Sequence, residues 1–79
     1  MIDYIENIKK IAAKTFDVKV SDISDELSIG EIDGWDSVGN LNFIQALESE
    51  LDVEIPVEDL FDLTSIKSIA EEINKLKNE

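Results

Sequence analysis

This chain of 79 residues predicts an all-α fold, a small four-helix bundle. Apolar residues recur at three- and four-residue spacing in several segments, and nowhere do apolar and polar residues alternate over a useful length as they would in a half-buried strand. Ser, Thr, Asp and Pro stand where those segments begin. The expected elements are three longer helices at about 2–16, 37–51 and 65–76 and one short helix at about 57–62. A long ordered loop joins the first two.

In the first segment Ile5, Ile8 and Ala12 form one stripe, extended by Ile2 and Phe16. Between Asp17 and Asp36 the apolar residues Val20, Ile23, Leu27, Ile29 and Ile32 are scattered among Gly30 and Gly34, which predicts a loop pinned to the core. Leu41, Ile44, Leu47 and Leu51, with Phe43 beside them, return to helical spacing, and Asp52 marks a turn. Pro56 suits the first turn of a helix, where its missing N–H costs nothing, and Val57, Leu60 and Phe61 give that short helix an apolar side. Thr64 or Ser65 caps the last helix, along which Ile66, Ile69, Ile73 and Leu76 repeat. Phe16, Phe43 and Phe61 are assigned to the core, and Trp35 is expected to pack the loop onto the bundle.

Composition narrows what such a bundle can do. The length allows one domain, residues 1–79, with a modest core and no deep cleft. There is no His and no Cys, so the chain has no side chain to activate a serine and no thiolate or imidazole to bind zinc or an iron–sulfur cluster. No apolar run approaches the roughly 20 residues that cross a bilayer, and the N-terminus lacks the order of a signal peptide. A cytoplasmic protein without a membrane span is expected.

The net charge of −12 opposes binding to nucleic acid, which needs Lys and Arg against phosphates, and favours basic protein partners and a monomer. The charge is also unevenly spread. From Val20 to Ile66 there are 13 Asp or Glu and no Lys or Arg.

Within that acidic stretch the segment Gly34-Trp35-Asp36-Ser37-Val38-Gly39 places one hydroxyl beside a carboxylate where loop gives way to helix. Ser and Asp are preferred N-caps, since their oxygens accept from the unpaired amides of a first turn. The same place suits a phosphodiester, because a phosphate on Ser37 would lie against free N–H groups at the positive end of the helix dipole. A hydrolase elbow of the form G-x-S-x-G fails, as position 35 is Trp and there is no base. A calcium loop fails too, since Gly34 or Gly39 at its sixth position puts Ile29 or Gly34 where a carboxylate is required.

Asp36-Ser37-Val38 resembles the Asp-Ser-Leu signature of acyl carrier proteins, with Val38 in place of leucine, and the order Gly34-Trp35-Asp36-Ser37, then Phe43-Ile44-Gln45-Ala46-Leu47-Glu48, then Val53-Glu54-Ile55-Pro56, resembles stand-alone carriers along nearly their whole length. The resemblance implies that Ser37 receives 4′-phosphopantetheine from coenzyme A through a separate phosphopantetheinyl transferase that uses Mg²⁺. The arm's thiol would then carry an acyl or related group as a thioester. Its partners would be acyl-loading and acyl-transferring enzymes with basic docking surfaces. By the same analogy Asp36, Val38, Glu48 and Ile55 meet those partners, although each also has an ordinary reading as a solvated charge or a packed apolar residue.

Fatty-acid-type carriers usually have acids in the first half of the following helix, where this chain has Val38, Gly39, Asn40 and Asn42. That departure suggests a specialised carrier for a polyketide, aminoacyl or saccharide-modifying pathway. The rival reading is an acidic helical adaptor that binds a basic partner without a prosthetic group. A serine hydrolase is the third, weakened by the missing base.

Overall fold

Residues 3–78 are described by a computed structural model, and they fold as helices joined by ordered loops. Helix α1 runs Ile5–Phe16, α2 Ser37–Leu51 and α3 Ile66–Lys77. Two 3₁₀ segments complete the order, Val20–Asp22 within the long loop and Val57–Asp62 between α2 and α3. Among the described residues the only extended pairing is an isolated antiparallel bridge between Ser28 and Ser65.

Helix α1 is the centre of the bundle and packs against both α2 and α3. Its inner face is Ile8, Ile11, Ala12 and Ala13, all buried; the two alanines add little bulk, so neighbouring helices can approach closely. One core joins these to Phe43, Ile44 and Leu47 of α2 and Ile66, Ile69, Ala70 and Ile73 of α3. Ile8, Ile66, Ile69 and Ile73 are fully buried, and each contributes roughly 2 kcal/mol relative to an exposed side chain. The Cα radius of gyration is 11.3 Å, close to the ~12 Å expected of a compact chain this long.

Local chemistry sets the helix ends. Both α1 and α2 stop at an aspartate in the left-handed conformation, Asp17 and Asp52, and the following valine N–H reaches five residues back, Val18 to Ala13 and Val53 to Glu48. Lys77 donates to the Leu51 carbonyl at 2.8 Å, placing a cation at the negative end of α2. Helix α3 opens on a capping box: Ser65 Oγ accepts from the Ser68 amide, and Ser68 Oγ accepts from the Ser65 amide.

Three expectations about the elements need correction. Helix α1 starts at Ile5 and not near residue 2, because the Asp3 carboxylate takes the Ile5 amide and Asn74 takes the Tyr4 amide before the helical ladder begins; Ile2 lies outside the described residues. Helix α3 starts one residue late, at Ile66, since Ser65 is spent as its cap.

The short helix has the expected bounds but is 3₁₀, with three residues per turn, and this rotates Phe61 off the face shared by Leu60 and Leu63. Phe61 is therefore 88% exposed, not a core residue, while Leu63 is buried.

The long loop is pinned as expected, though by fewer side chains. Ile23 is buried, and Leu27, Ile29 and Ile32 are partly buried against the core, while Val20 stands 40% exposed. Backbone bonds do the rest: Ile29 N–H donates to Thr64 at 2.8 Å and Ile66 N–H to Leu27 at 2.9 Å, tying the loop to the entry of α3. Lys9 pairs with Asp25, tying the loop to α1 as well.

Candidate functional site

The loop reaches α2 through an aromatic cluster. Trp35 is 1% exposed, stacks on Phe16 with ring centroids 5.4 Å apart and meets Phe43 edge-on at 5.7 Å. Its indole N–H cannot stay unpaired at that depth, and it donates to Asn40 Oδ1 at 2.9 Å. The Asn40 amide in turn donates to the Leu63 carbonyl at 3.0 Å. One buried side chain thus ties the loop, the start of α2 and the entry to α3 together.

This arrangement delivers Ser37 to the surface. Asp36 is the N-cap of α2 and its Oδ1 accepts from the Gly39 amide at 2.8 Å, so the aspartate, not the serine, is the cap. Ser37 is the first helical residue and is exposed. Its hydroxyl makes no hydrogen bond, and neither its own amide nor that of Val38 has a protein acceptor among the described residues. Those two N–H groups belong to exposed residues at the positive end of a fifteen-residue helix.

Beside Ser37 lies a groove of about 370 Å³ with apolar walls from Ile29, Leu41, Val57, Leu60 and Phe61. Thus the second 3₁₀ segment stands across the groove from the first turns of α2.

The other expected site residues are placed unevenly. Asp36 and Val38 flank Ser37 at the surface, Val38 being 67% exposed. Glu48 is half-buried, and its Oε2 accepts from the Ile55 amide at 2.9 Å. Ile55 is only 6% exposed and belongs to the core, so its side chain offers a partner no surface; the turn after α2 folds it inward.

Asn40 also needs reassignment, since it is buried and structural and its lack of charge says nothing about the docking face. Sequence reasoning missed the exposed pair Val57 and Phe61. For Phe61 the available signal was the apolar pair at 60 and 63, a period of three that leaves 61 out of register; that period groups Val57 with them and gives no sign of its exposure.

Among the described residues no group of three or more His, Cys, Asp or Glu side chains is placed to hold a metal ion, and no helix is long and apolar enough to cross a membrane. The chain belongs to the phosphopantetheine attachment site family, whose pattern matches residues 6–73. It is a carrier protein of that family, not an enzyme, and its cofactor is covalently attached 4′-phosphopantetheine.

The fold is similar to that of holo acyl carrier protein from Geobacter metallireducens, solved by solution NMR. The TM-score is 0.85 at 23% identity, with 98% of this chain and 88% of that one covered. The residues present fit such a group: the Ser37 hydroxyl is unobstructed, and two open amides stand where a phosphodiester would sit.

Proposed function

We propose that Ser37 is the attachment residue and that the chain carries an acyl or related group between biosynthetic enzymes. The single observation that carries this reading is the exposed, unbonded hydroxyl at the first position of α2, beside free amides. When bound, the arm supplies a terminal thiol that holds its cargo as a thioester, a chemistry this cysteine-free chain lacks.

What the chain's own residues do follows from their geometry. Asp36 caps α2 and holds Ser37 at the helix start, and the Ser37 and Val38 amides stabilise the phosphodiester formed on the serine oxygen. In that step the Ser37 oxygen bonds to the proximal phosphorus of coenzyme A, the pyrophosphate bond breaks, and adenosine 3′,5′-bisphosphate leaves. This chain has no imidazole, so the serine proton would pass to the phosphopantetheinyl transferase, and Mg²⁺ bound by that enzyme would supply charge compensation for the leaving phosphate.

We further propose that the pathway is specialised, for a polyketide, aminoacyl or saccharide-modifying purpose. Support comes from the exposed side of the first turns of α2, which carries Val38, Leu41 and Asn42 in place of carboxylates. The uneven charge suits basic partners encountered as a monomer in the cytoplasm.

The test is incubation with coenzyme A, Mg²⁺ and a broad-specificity phosphopantetheinyl transferase. One arm per chain, seen by intact mass, is expected for the native sequence and none for Ser37→Ala. No gain on the native chain, or a full gain on Ser37→Ala, refutes the assignment. Intact mass of the protein from its native cell then identifies the cargo.

A further inference from the structure

Asp33-Gly34 is the only place in this chain where a glycine follows an Asp or an Asn. The pair forms the middle of a tight turn from Ile32 to Trp35, in which Gly34 holds φ +89° as the third residue of a type II turn does. Both residues are exposed. The Asp33 carboxylate has no hydrogen bond or ion pair among the described residues, and the Gly34 amide has no acceptor there. Asp36 also precedes a small residue, but its carboxylate is engaged as the cap of α2.

A free carboxyl next to an unpaired amide nitrogen, with no side chain on the following residue to crowd it, is the arrangement from which the two close into a ring. Order opposes that closure, since Trp35 is buried and its carbonyl accepts from Gly30 at 2.7 Å. Yet the clasp nearest the reacting bond is weak. Trp35 N–H donates to Ile32 at 3.3 Å, longer than the usual 2.9–3.0 Å or about that, and Ile32 itself is only partly buried. Asp33, the residue that has to turn, is therefore held firmly on one side only.

We infer that Asp33 is a site of succinimide and isoaspartate formation in the folded protein. The Gly34 nitrogen attacks the Asp33 side-chain carboxyl carbon; the C–N bond forms, the carboxyl C–OH bond breaks, and the OH leaves as water with the amide hydrogen. A second water then opens the ring. Cleavage at the side-chain carbonyl restores Asp33, and cleavage at the α-carbonyl leaves the main chain running through the side-chain carbon, with no net change in mass. Nothing is oxidised or reduced, and no cofactor takes part.

The isoaspartyl linkage adds one carbon to the main chain between Ile32 and Gly34, where there is no slack. The Gly34 carbonyl lies so close to Gly39 that a Cβ there would overlap it. Lengthening the turn moves that carbonyl and Trp35 after it, whose indole bond to Asn40 fixes the start of α2. The reaction thus reaches the base on which Ser37 stands, whether or not the serine carries an arm.

The experiment keeps the full chain folded at neutral pH, well below its melting temperature, beside Asp33→Glu and beside native chain in denaturant. Isoaspartate is counted by methyl transfer from S-adenosylmethionine with an isoaspartyl methyltransferase and located by peptide mapping, and intact mass shows the succinimide as the loss of one water. The expected result is isoaspartate at residue 33 alone in the folded chain. In Asp33→Glu the signal forms at least about tenfold more slowly, because the longer side chain closes a larger ring less readily. The separated isoaspartyl chain melts roughly 5 °C below the native one, while Asp33→Glu, changed only at an exposed side chain, melts with it.

Isoaspartate that forms at residue 33 in denaturant but not in the folded chain overturns the proposal, since the turn then protects the bond. So does isoaspartate spread over Asp33, Asp36 and the other aspartates in the proportions seen in denaturant, which assigns it to unfolded molecules. An isoaspartyl chain that melts with the native one overturns the link from residue 33 to α2.

Discussion

The carbonyl oxygen of Gly34 stands 1.8 Å from where a Cβ on Gly39 would be placed, so the loop before α2 lies directly against the backbone of its first turn. Gly34 itself has φ +89°, a conformation that side chains rarely adopt, and the turn it makes aims that carbonyl at the helix. Glycine at 39 lowers helix propensity by up to ~1 kcal/mol, yet here a methyl group has no room. The contact holds the loop on one side of Ser37 and the helix on the other.

Gly39→Ala is therefore expected to destabilise the protein, against the helix scale. Overpacking against a backbone carbonyl and Phe16 exceeds the propensity gain, for a net loss of about 2 kcal/mol or more and a melting temperature lower by roughly 10 °C. A thermal melt checks it. A variant as stable as the native chain or more so contradicts the packing described.

Asn40 supplies both an acceptor to Trp35 and a donor to Leu63, so no common substitution preserves both bonds. Asn40→Asp keeps the acceptor but sets a carboxylate against the Leu63 carbonyl, and Asn40→Leu strands both partners. Each is expected to cost about 3 kcal/mol, since an unpaired buried polar group costs roughly 1–3 kcal/mol. Denaturant unfolding followed by Trp35 fluorescence reads the loss directly. If Asn40→Asp is neutral and speeds arm transfer, position 40 belongs to the docking face after all.

Asp36 and Glu48 cannot be tested for docking by simple charge reversal. Asp36→Lys removes the α2 cap, worth about 1 kcal/mol, and Glu48→Lys strands the Ile55 amide at a comparable cost. Asp36→Asn and Glu48→Gln retain the acceptors and lose only the charge. Melting temperatures should fall for the lysine variants and hold for the amides. Arm-transfer rates of the amides then report steering, which weakens as salt rises. Equal rates for native and amide variants across a salt series remove both residues from the partner face.

Asp3 links stability to pH. Its carboxylate accepts from Asn74 and from the Ile5 amide, and these bonds, the Asn74 one first, hold its pKa below the usual 3.8. A lowered folded-state pKa means the stabilisation is complete above the unfolded value and lost as pH falls through the folded one. The gap in melting temperature between native protein and Asp3→Ala should be constant from pH 7 to pH 5 and narrow below about pH 4. A gap that does not vary with pH places the effect in packing alone.

Lys9 behaves oppositely. Its hydrogen bond to Asp25 raises the ammonium pKa above 10.5, so that contribution is present below that pH and fades only in stronger base.

Local patterns made most of this protein legible before its coordinates. Helix α2 and the short segment fell at their expected bounds because Asp52 and Pro56 punctuate the chain, and the serine segment stood out because Ser37 adjoins a carboxylate where loop gives way to helix. Errors came where a face had to be chosen. Phe61 reads as core under a period of 3.6 and as surface under a period of three, and only packing of Leu60 and Leu63 decided the period. Ile55 was expected at the partner face by analogy, and the turn after α2 folds it inward.

By itself, then, the order of residues determined the helices, the acidic surface and the absence of histidine and cysteine, and it singled out Ser37, since all of these are matters of composition and nearest neighbours. Tertiary structure alone decided that Asn40 is a clamp, that Gly39 is a contact and that Phe61 is free. Each of those depends on what another segment places within a few ångströms, and spacing along a chain holds no record of such distances.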